Sequence, residues 1–260
     1  MRRSIAFCAG GAVIAAGAVF GAVRHAGAQT LLENSAEFRM QLDFQVKDAA
    51  LQKMLPAGWE PQVATQGPAK DCNIRLIFID RVDVTGADNA PKTSSQLVYL
   101  AVPVKQTGTS NGGQMIIAGL VADPKESPGP FGNYTPATTS KVQRSVSIDN
   151  GVAIGEESWV FAAANGERME VHLKYERGAG RRNPTQEVKF FDPRNPSSYQ
   201  IFKVDSGLDI MKNASVPVKD RVKEFSYKVS GPNLSSLFDG SEKVLSWDSF
   251  HWYNRGIYTP

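Results

Sequence analysis

The chain has 260 residues, 42% of them hydrophobic and 21% charged, with 29 basic against 26 acidic side chains. That is ample apolar material for a packed core, and too small a charge imbalance to argue for nucleic acid or an anionic membrane as partner. Its cysteines (Cys8, Cys72) and histidines (His25, His172, His251) form neither C-x-x-C nor H-x-x-x-H, so neither a metal nor a cofactor is expected.

The N-terminus reads as a leader. Met1-Arg2-Arg3 is a short basic region, the following run is weakly apolar and rich in Gly and Ala, and "HAGAQT" offers cleavage after Ala28. Residues 1–28 are therefore expected to be a cleavable signal peptide for Sec or twin-arginine export, placing residues 29–260 in the periplasm or outside the cell as one domain. The leader takes three arginines with it, which leaves 26 basic against 26 acidic residues. It also takes Cys8, so Cys72 has no disulfide partner. No later stretch has the ~20 apolar residues of a membrane span.

In chain order, "FRMQLDFQV" (38–46) alternates strictly, with Phe38, Met40, Leu42, Phe44 and Val46 on one face and Arg39, Gln41, Asp43 and Gln45 on the other. "KDAALQKML" predicts a short amphipathic helix stopped by Pro56 and Gly58. Residues 73–84, 95–104 and 114–122 are near-continuous apolar, β-branched strands of the kind buried on both faces. "DPKESPGPFGNYTP" reads as a long loop. Beyond it come short strands separated by turns: "KVQRSVSID", "ESWVFAAA", "ERMEVHLKYE", "YQIFKV", "EFSYKV", "EKVLSW" and "WYNRGIY". Asn165-Gly166 marks a hairpin tip, and residues 231–240 one helical turn. The pattern predicts a mainly β protein with minor α, in a barrel or large sandwich.

The stretch "ALQKMLPAGWEP" after a strand resembles the N-terminal signature of the acetoacetate decarboxylase-like superfamily, in which a strand feeds a short helix ending in Leu-Pro before a Gly/Pro turn and an acidic residue. Here those positions are Leu51, Leu55, Pro56, Gly58 and Glu60. The order of later pieces is similar over most of residues 36–258. The resemblance implies a closed, mixed or antiparallel β-barrel around a small cavity, a small keto or organic acid as partner, and a lysine that forms a Schiff base with it. Acetoacetate decarboxylase is itself the standard example of an amine made nucleophilic by a depressed pKa. The family's Gly-Arg-Glu…Pro-Lys-Lys stretch has no full counterpart here, since Gly-Arg-Glu is absent and no two lysines are adjacent.

In the corresponding region Lys141 is the candidate nucleophile and Lys125 the second choice. Arg39 is the nearest substitute for the family's arginine. Period-two alternation sets Val142, Arg144, Val146 and Ile148 on one face and Lys141, Gln143, Ser145 and Ser147 on the other. An arginine on an apolar face needs a carboxylate, from the protein or from a ligand, so Arg144 joins Arg39 and Tyr134 as candidate substrate contacts. "GTSNG" matches a nucleophile elbow around Ser110, but a strand pattern follows where a helix should. Glu156 and Glu157 point to opposite faces of a strand and make no dyad. Two functions follow from these residues: a Schiff-base lyase acting on a keto acid, or an exported binding protein that has kept the barrel and lost the machinery. Assembly into a homo-oligomer is left open.

Overall fold

A computed structural model describes residues 28–127, 132–212 and 220–260. The leader assigned to residues 1–28 lies, but for its last residue, outside the described residues. The chain is mainly β, with strands β1 (Thr30–Gln45), β2 (Trp59–Pro61), β3 (Ile74–Gly86), β4 (Ser95–Gln106), β5 (Gly112–Val121), β6 (Tyr134–Asp149), β7 (Val152–Ala163), β8 (Arg168–Glu176), β9 (Arg181–Asp192), β10 (Asn195–Lys212), β11 (Val222–Ser230) and β12 (Lys243–Thr259). A helix α1 (Asp48–Gln52) follows β1. No helix among the described residues is long and apolar enough to cross a membrane.

The strands form one mixed sheet. β5, β9, β10, β12, β1, β3 and β4 are hydrogen-bonded in that order, and β4 pairs back onto β5, closing a ring of seven. All contacts in the ring are antiparallel except β5–β9. β6 leaves β5 as a parallel neighbour and carries β7, β8 and β11 into a second, antiparallel layer.

Alternation along the strands divides the core in two. The ring's outer face contributes Met40, Leu42, Phe44, Leu76, Phe78, Val98, Leu100 and Val102, packed against Trp159, Phe161, Met169, Val171 and Leu173 of the second layer. The Phe78 ring lies 6.1 Å from that of Trp159 and 6.0 Å from that of Phe161. Burying each such side chain contributes about 1.5–3 kcal/mol. The inner face contributes Ile77, Ile79, Leu97, Tyr99, Ala101, Phe190, Phe202, Val204 and Ile257. β3 and β4 are thus covered on both sides, as their apolar runs required.

Several expectations change. The helix over 47–55 is shorter, five residues, yet Leu51 and Leu55 are buried as the pattern asked. Asn73 fixes the strand–helix junction: its side chain accepts from the Val46 amide at 2.9 Å and donates to the Val46 carbonyl at 2.8 Å. Residues 231–240 are a series of turns, not a helix, although Leu234 and Leu237 are fully buried there. β6 starts at Tyr134, so Lys141 stands in mid-strand rather than at a strand start. β9 has no counterpart among the expected strands, because its first half is polar and contains Pro184. The two closing strands are one 17-residue strand, β12, whose pairing with β1 is irregular near Phe250. Asn150 (φ 49°) and Gly151 (φ 80°) form the β6–β7 turn, where two left-handed residues match the strand twist.

Candidate functional site

β1 is amphipathic in an inverted sense. Its apolar side faces the second layer, and its polar side (Glu33, Ser35, Glu37, Arg39, Gln41, Asp43) faces into the ring. Register brings Arg255 opposite Ser35 from β12 and Arg81 opposite Glu37 from β3. Glu33, Glu37, Arg39, Arg81 and Arg255 are all buried.

Glu37 is the hub. It accepts from Ser35 Oγ at 2.6 Å, Arg39 Nε at 2.6 Å and Arg255 Nη2 at 2.5 Å. Burial alone would raise its pKa, but Arg255 and then Arg39 outweigh it and hold the carboxyl below the usual range. Burial likewise opposes the charge of Arg39, and Glu37 overrides it, so that guanidinium is held protonated more firmly than usual. Arg39 also lies 3.5 Å over the Tyr253 ring. Arg81 pairs with Glu33 and donates to Ser95 Oγ at 3.2 Å; Lys92 reaches Glu33 at 3.2 Å from the rim. Even without Lys92, three buried guanidiniums face two carboxylates, an excess of one positive charge.

Donors are also left over in this interior. Nε and Nη1 of Arg255 and the hydroxyls of Tyr99 and Tyr134 are buried with no hydrogen-bond partner. The two tyrosine rings meet edge to face, centroids 6.5 Å apart. Burial, then Tyr99, push the Tyr134 hydroxyl well above its ordinary pKa, while Arg255, Arg81 and Arg39 pull the other way. The hydroxyl is therefore a neutral donor that feels the charge of all three arginines. Gly119 makes room for it, since a Cβ there would come within 2.7 Å of the Tyr134 ring.

Further along the interior, Asp43 lies 3.3 Å from Arg75 Nε. Burial, reinforced by Asp43 nearby, pushes Asp248 up to about 8. Cys72 is free and fully buried, and burial with Asp43 beside it pushes its thiol up to about 12, which makes it inert.

Of the residues singled out from sequence, Arg39 and Tyr134 come together in the ring interior. Lys141 and Arg144 do not. Lys141 is exposed on the far face of β6, opposite Val160. Lys125 is exposed in a 3-10 turn, Pro124–Glu126, after β5. No lysine among the described residues is buried. Arg144 faces the core side of β6 and finds the carboxylate its position required, Glu157, at 3.5 Å. Val146 and Ile148 on the same face are exposed, because the β6–β7 hairpin runs past the edge of the core. Glu157 is buried and Glu156 exposed, on opposite faces as expected. Ser110 is exposed in the β4–β5 loop. The histidines are engaged elsewhere, His172 with Ser158 and His251 with Arg177.

Glu37, Arg255 and Tyr99 were missed. A sequence signal existed for the first: Glu33, Ser35, Glu37 and Arg39 continue the polar side of the β1 alternation without a break.

No protein-family model matches the chain, and no curated protein matches it. Solved structures do. An acetoacetate decarboxylase-like enzyme from Sphingomonas wittichii RW1 superposes with a TM-score of 0.51 at 15% identity, over 88% of this chain and 92% of the other. The enduracididine biosynthesis enzyme MppR, complexed with pyruvate, superposes with a TM-score of 0.50 at 11% identity, over 88% of each chain. At these identities the likeness is one of fold, and the fold is that of the acetoacetate decarboxylase-like superfamily.

Proposed function

We propose that this acetoacetate decarboxylase-like chain binds a small organic acid inside the strand ring, with the carboxylate held by Arg255 and Arg39 and by the hydroxyls of Tyr99 and Tyr134. The observation that carries the reading is the set of donors with no acceptor: two N–H positions of Arg255 and two buried hydroxyls, beside an excess positive charge. A buried donor left unpaired costs about 1–3 kcal/mol, and a carboxylate offers four lone pairs to several at once. The neighbouring fold MppR, caught with pyruvate, makes a 2-oxo acid a sensible first ligand to try.

The reading is one of binding rather than Schiff-base lysis. An imine-forming lysine must lose its proton, which calls for an apolar setting or an adjacent cation. Lys141 and Lys125 are in water, and among the described residues the ring interior holds guanidiniums but no amine. With the leader removed, the acid would be met outside the cytoplasm. The closed seven-strand ring serves as the family barrel, with the acid as the content of its lumen.

The test is calorimetric titration of the chain from Gln29 onward with pyruvate, acetoacetate and acetate, repeated for Arg255→Met and Tyr134→Phe, together with borohydride trapping read by intact mass. Saturable binding weakened tenfold or more in both variants, without a covalent adduct, supports the reading. Binding that both variants leave unchanged, or an adduct on any lysine, overturns it.

A further inference from the structure

A pocket lies between the ring and the outer layer, beside Arg144. Its volume is about 290 Å³. Phe38, Ser249 and His251 line one side from β1 and β12, and Arg144, Glu157 and Tyr175 the other from β6, β7 and β8.

Its carboxylate is already engaged. Glu157 accepts from Trp159 Nε1 at 2.9 Å and from Tyr175 Oη at 2.7 Å, besides its ion pair with Arg144. The Arg144 guanidinium lies over the Phe38 ring, 4.1 Å from its centroid. Arg177, at the mouth, has no such counter-ion. Its Nη2 meets His251 Nδ1 at 3.2 Å, and among the described residues it makes no ion pair. A guanidinium has only donors, so His251 Nδ1 must be the acceptor and the imidazole neutral. The pocket therefore holds two permanent cations against one carboxylate, around an open space with an aromatic wall.

His251 feels both burial and these charges. Burial first, then Arg177, lower its pKa; Asp209 and Glu157 raise it, and Arg144 lowers it further. Tyr175, the remaining titratable group of the pocket, is kept protonated by burial and by Glu157. An added anion would act on His251 as Asp209 and Glu157 do.

We infer that this pocket is a small-anion site, independent of the ring interior, that takes a carboxylate with a flat apolar body between Arg144 and Arg177 and against Phe38. Guanidinium geometry suits a carboxylate, and the aromatic wall suits the hydrocarbon part.

Sodium benzoate is the probe, and His251 the reporter. In a chain that starts at Gln29 only His172 and His251 remain, and His172 sits on the outer face of the second layer, so their imidazole resonances can be followed separately by NMR. Benzoate is expected to shift the His251 signals saturably and to raise its titration midpoint by about one unit, with His172 unmoved. Arg177→Gln, an exposed residue whose loss breaks no ion pair, is expected to weaken the effect tenfold or more. Arg255→Met, in the ring interior, is expected to leave it intact, which separates this site from the other. An unchanged His251 response in Arg177→Gln, or no saturable response at all, overturns the inference; so does a response lost in Arg255→Met but kept in Arg177→Gln.

Discussion

Replacing Glu37 by Gln keeps the shape of the ring's hub and removes its charge. In the native chain that charge serves two buried guanidiniums at once, Arg39 through Nε at 2.6 Å and Arg255 through Nη2 at 2.5 Å. Unit charges about 4 Å apart interact by ~4 kcal/mol at an effective dielectric of 20, so two such pairs represent roughly 8 kcal/mol of Coulomb energy. The carboxylate's own desolvation offsets several kcal/mol of that gain. Breaking a buried pair from one side is then expected to cost about 3–5 kcal/mol. At about 2–4 °C per kcal/mol for a chain of this size, Tm should fall by roughly 6–20 °C. The assay is a thermal melt followed by circular dichroism at pH 7. Glu60→Gln, which removes only a half-exposed pair with Lys105, is the control expected to stay within about 1 kcal/mol. Acetate should partly restore the Glu37→Gln variant by placing a carboxylate beside the freed guanidiniums, worth about 2.7 kcal/mol at a concentration 100 times its Kd. A fall in Tm below about 3 °C, or equal rescue by sodium chloride, would refute the account of Glu37 as the counter-charge of a sealed cluster.

Tyr134→Phe should leave the ligand-free protein as stable as before or up to about 1 kcal/mol more stable, because the hydroxyl it removes has no partner; a loss above 1 kcal/mol in urea titration would mean that the hydroxyl is satisfied. Asp248 has a folded pKa raised to about 8 from 3.8, so its contribution is fully present below about pH 4 and is lost as pH rises towards 8. Asp248→Asn should therefore flatten the decline in stability between pH 5 and pH 8, measured by denaturant titration at each pH, and an identical slope in both proteins would contradict this. Phe161→Ala should cost about 3–5 kcal/mol by opening a hole between the ring and the outer layer, read from the shift in urea midpoint. The buried Cys72 thiol should react with a thiol reagent only as fast as the protein unfolds, and rapid labelling of the native chain would show it accessible.

Much of the local structure is legible from the sequence, because side-chain period is a local property. The alternation of Phe38–Val46, the apolar runs that became β3, β4 and β5, and the Asn165-Gly166 tip all lie where the residues put them. So do the opposed faces of Lys141 and Arg144, and the need of Arg144 for a carboxylate, met by Glu157. Where the local signal is weak, reading failed: β9 begins with polar residues and a proline, and the bulged middle of β12 looked like a gap between two strands.

Alternation separates two faces of a strand, but it does not say which of them is wet. That was decided by pairings between residues far apart in sequence, β1 with β12 and β4 with β5, which close the ring. Closure turned the polar face of β1 inward and sealed Glu37 and Arg39 with Arg81, Arg255, Tyr99 and Tyr134, residues drawn from five strands. It also left Lys141 outside, on a layer that the ring does not include. Period-two alternation alone sets Arg39 and Arg144 each on a defined face of a strand. That the face of Arg39 is the interior of a ring follows from long-range pairing, because burial there depends on partners that no local pattern encodes.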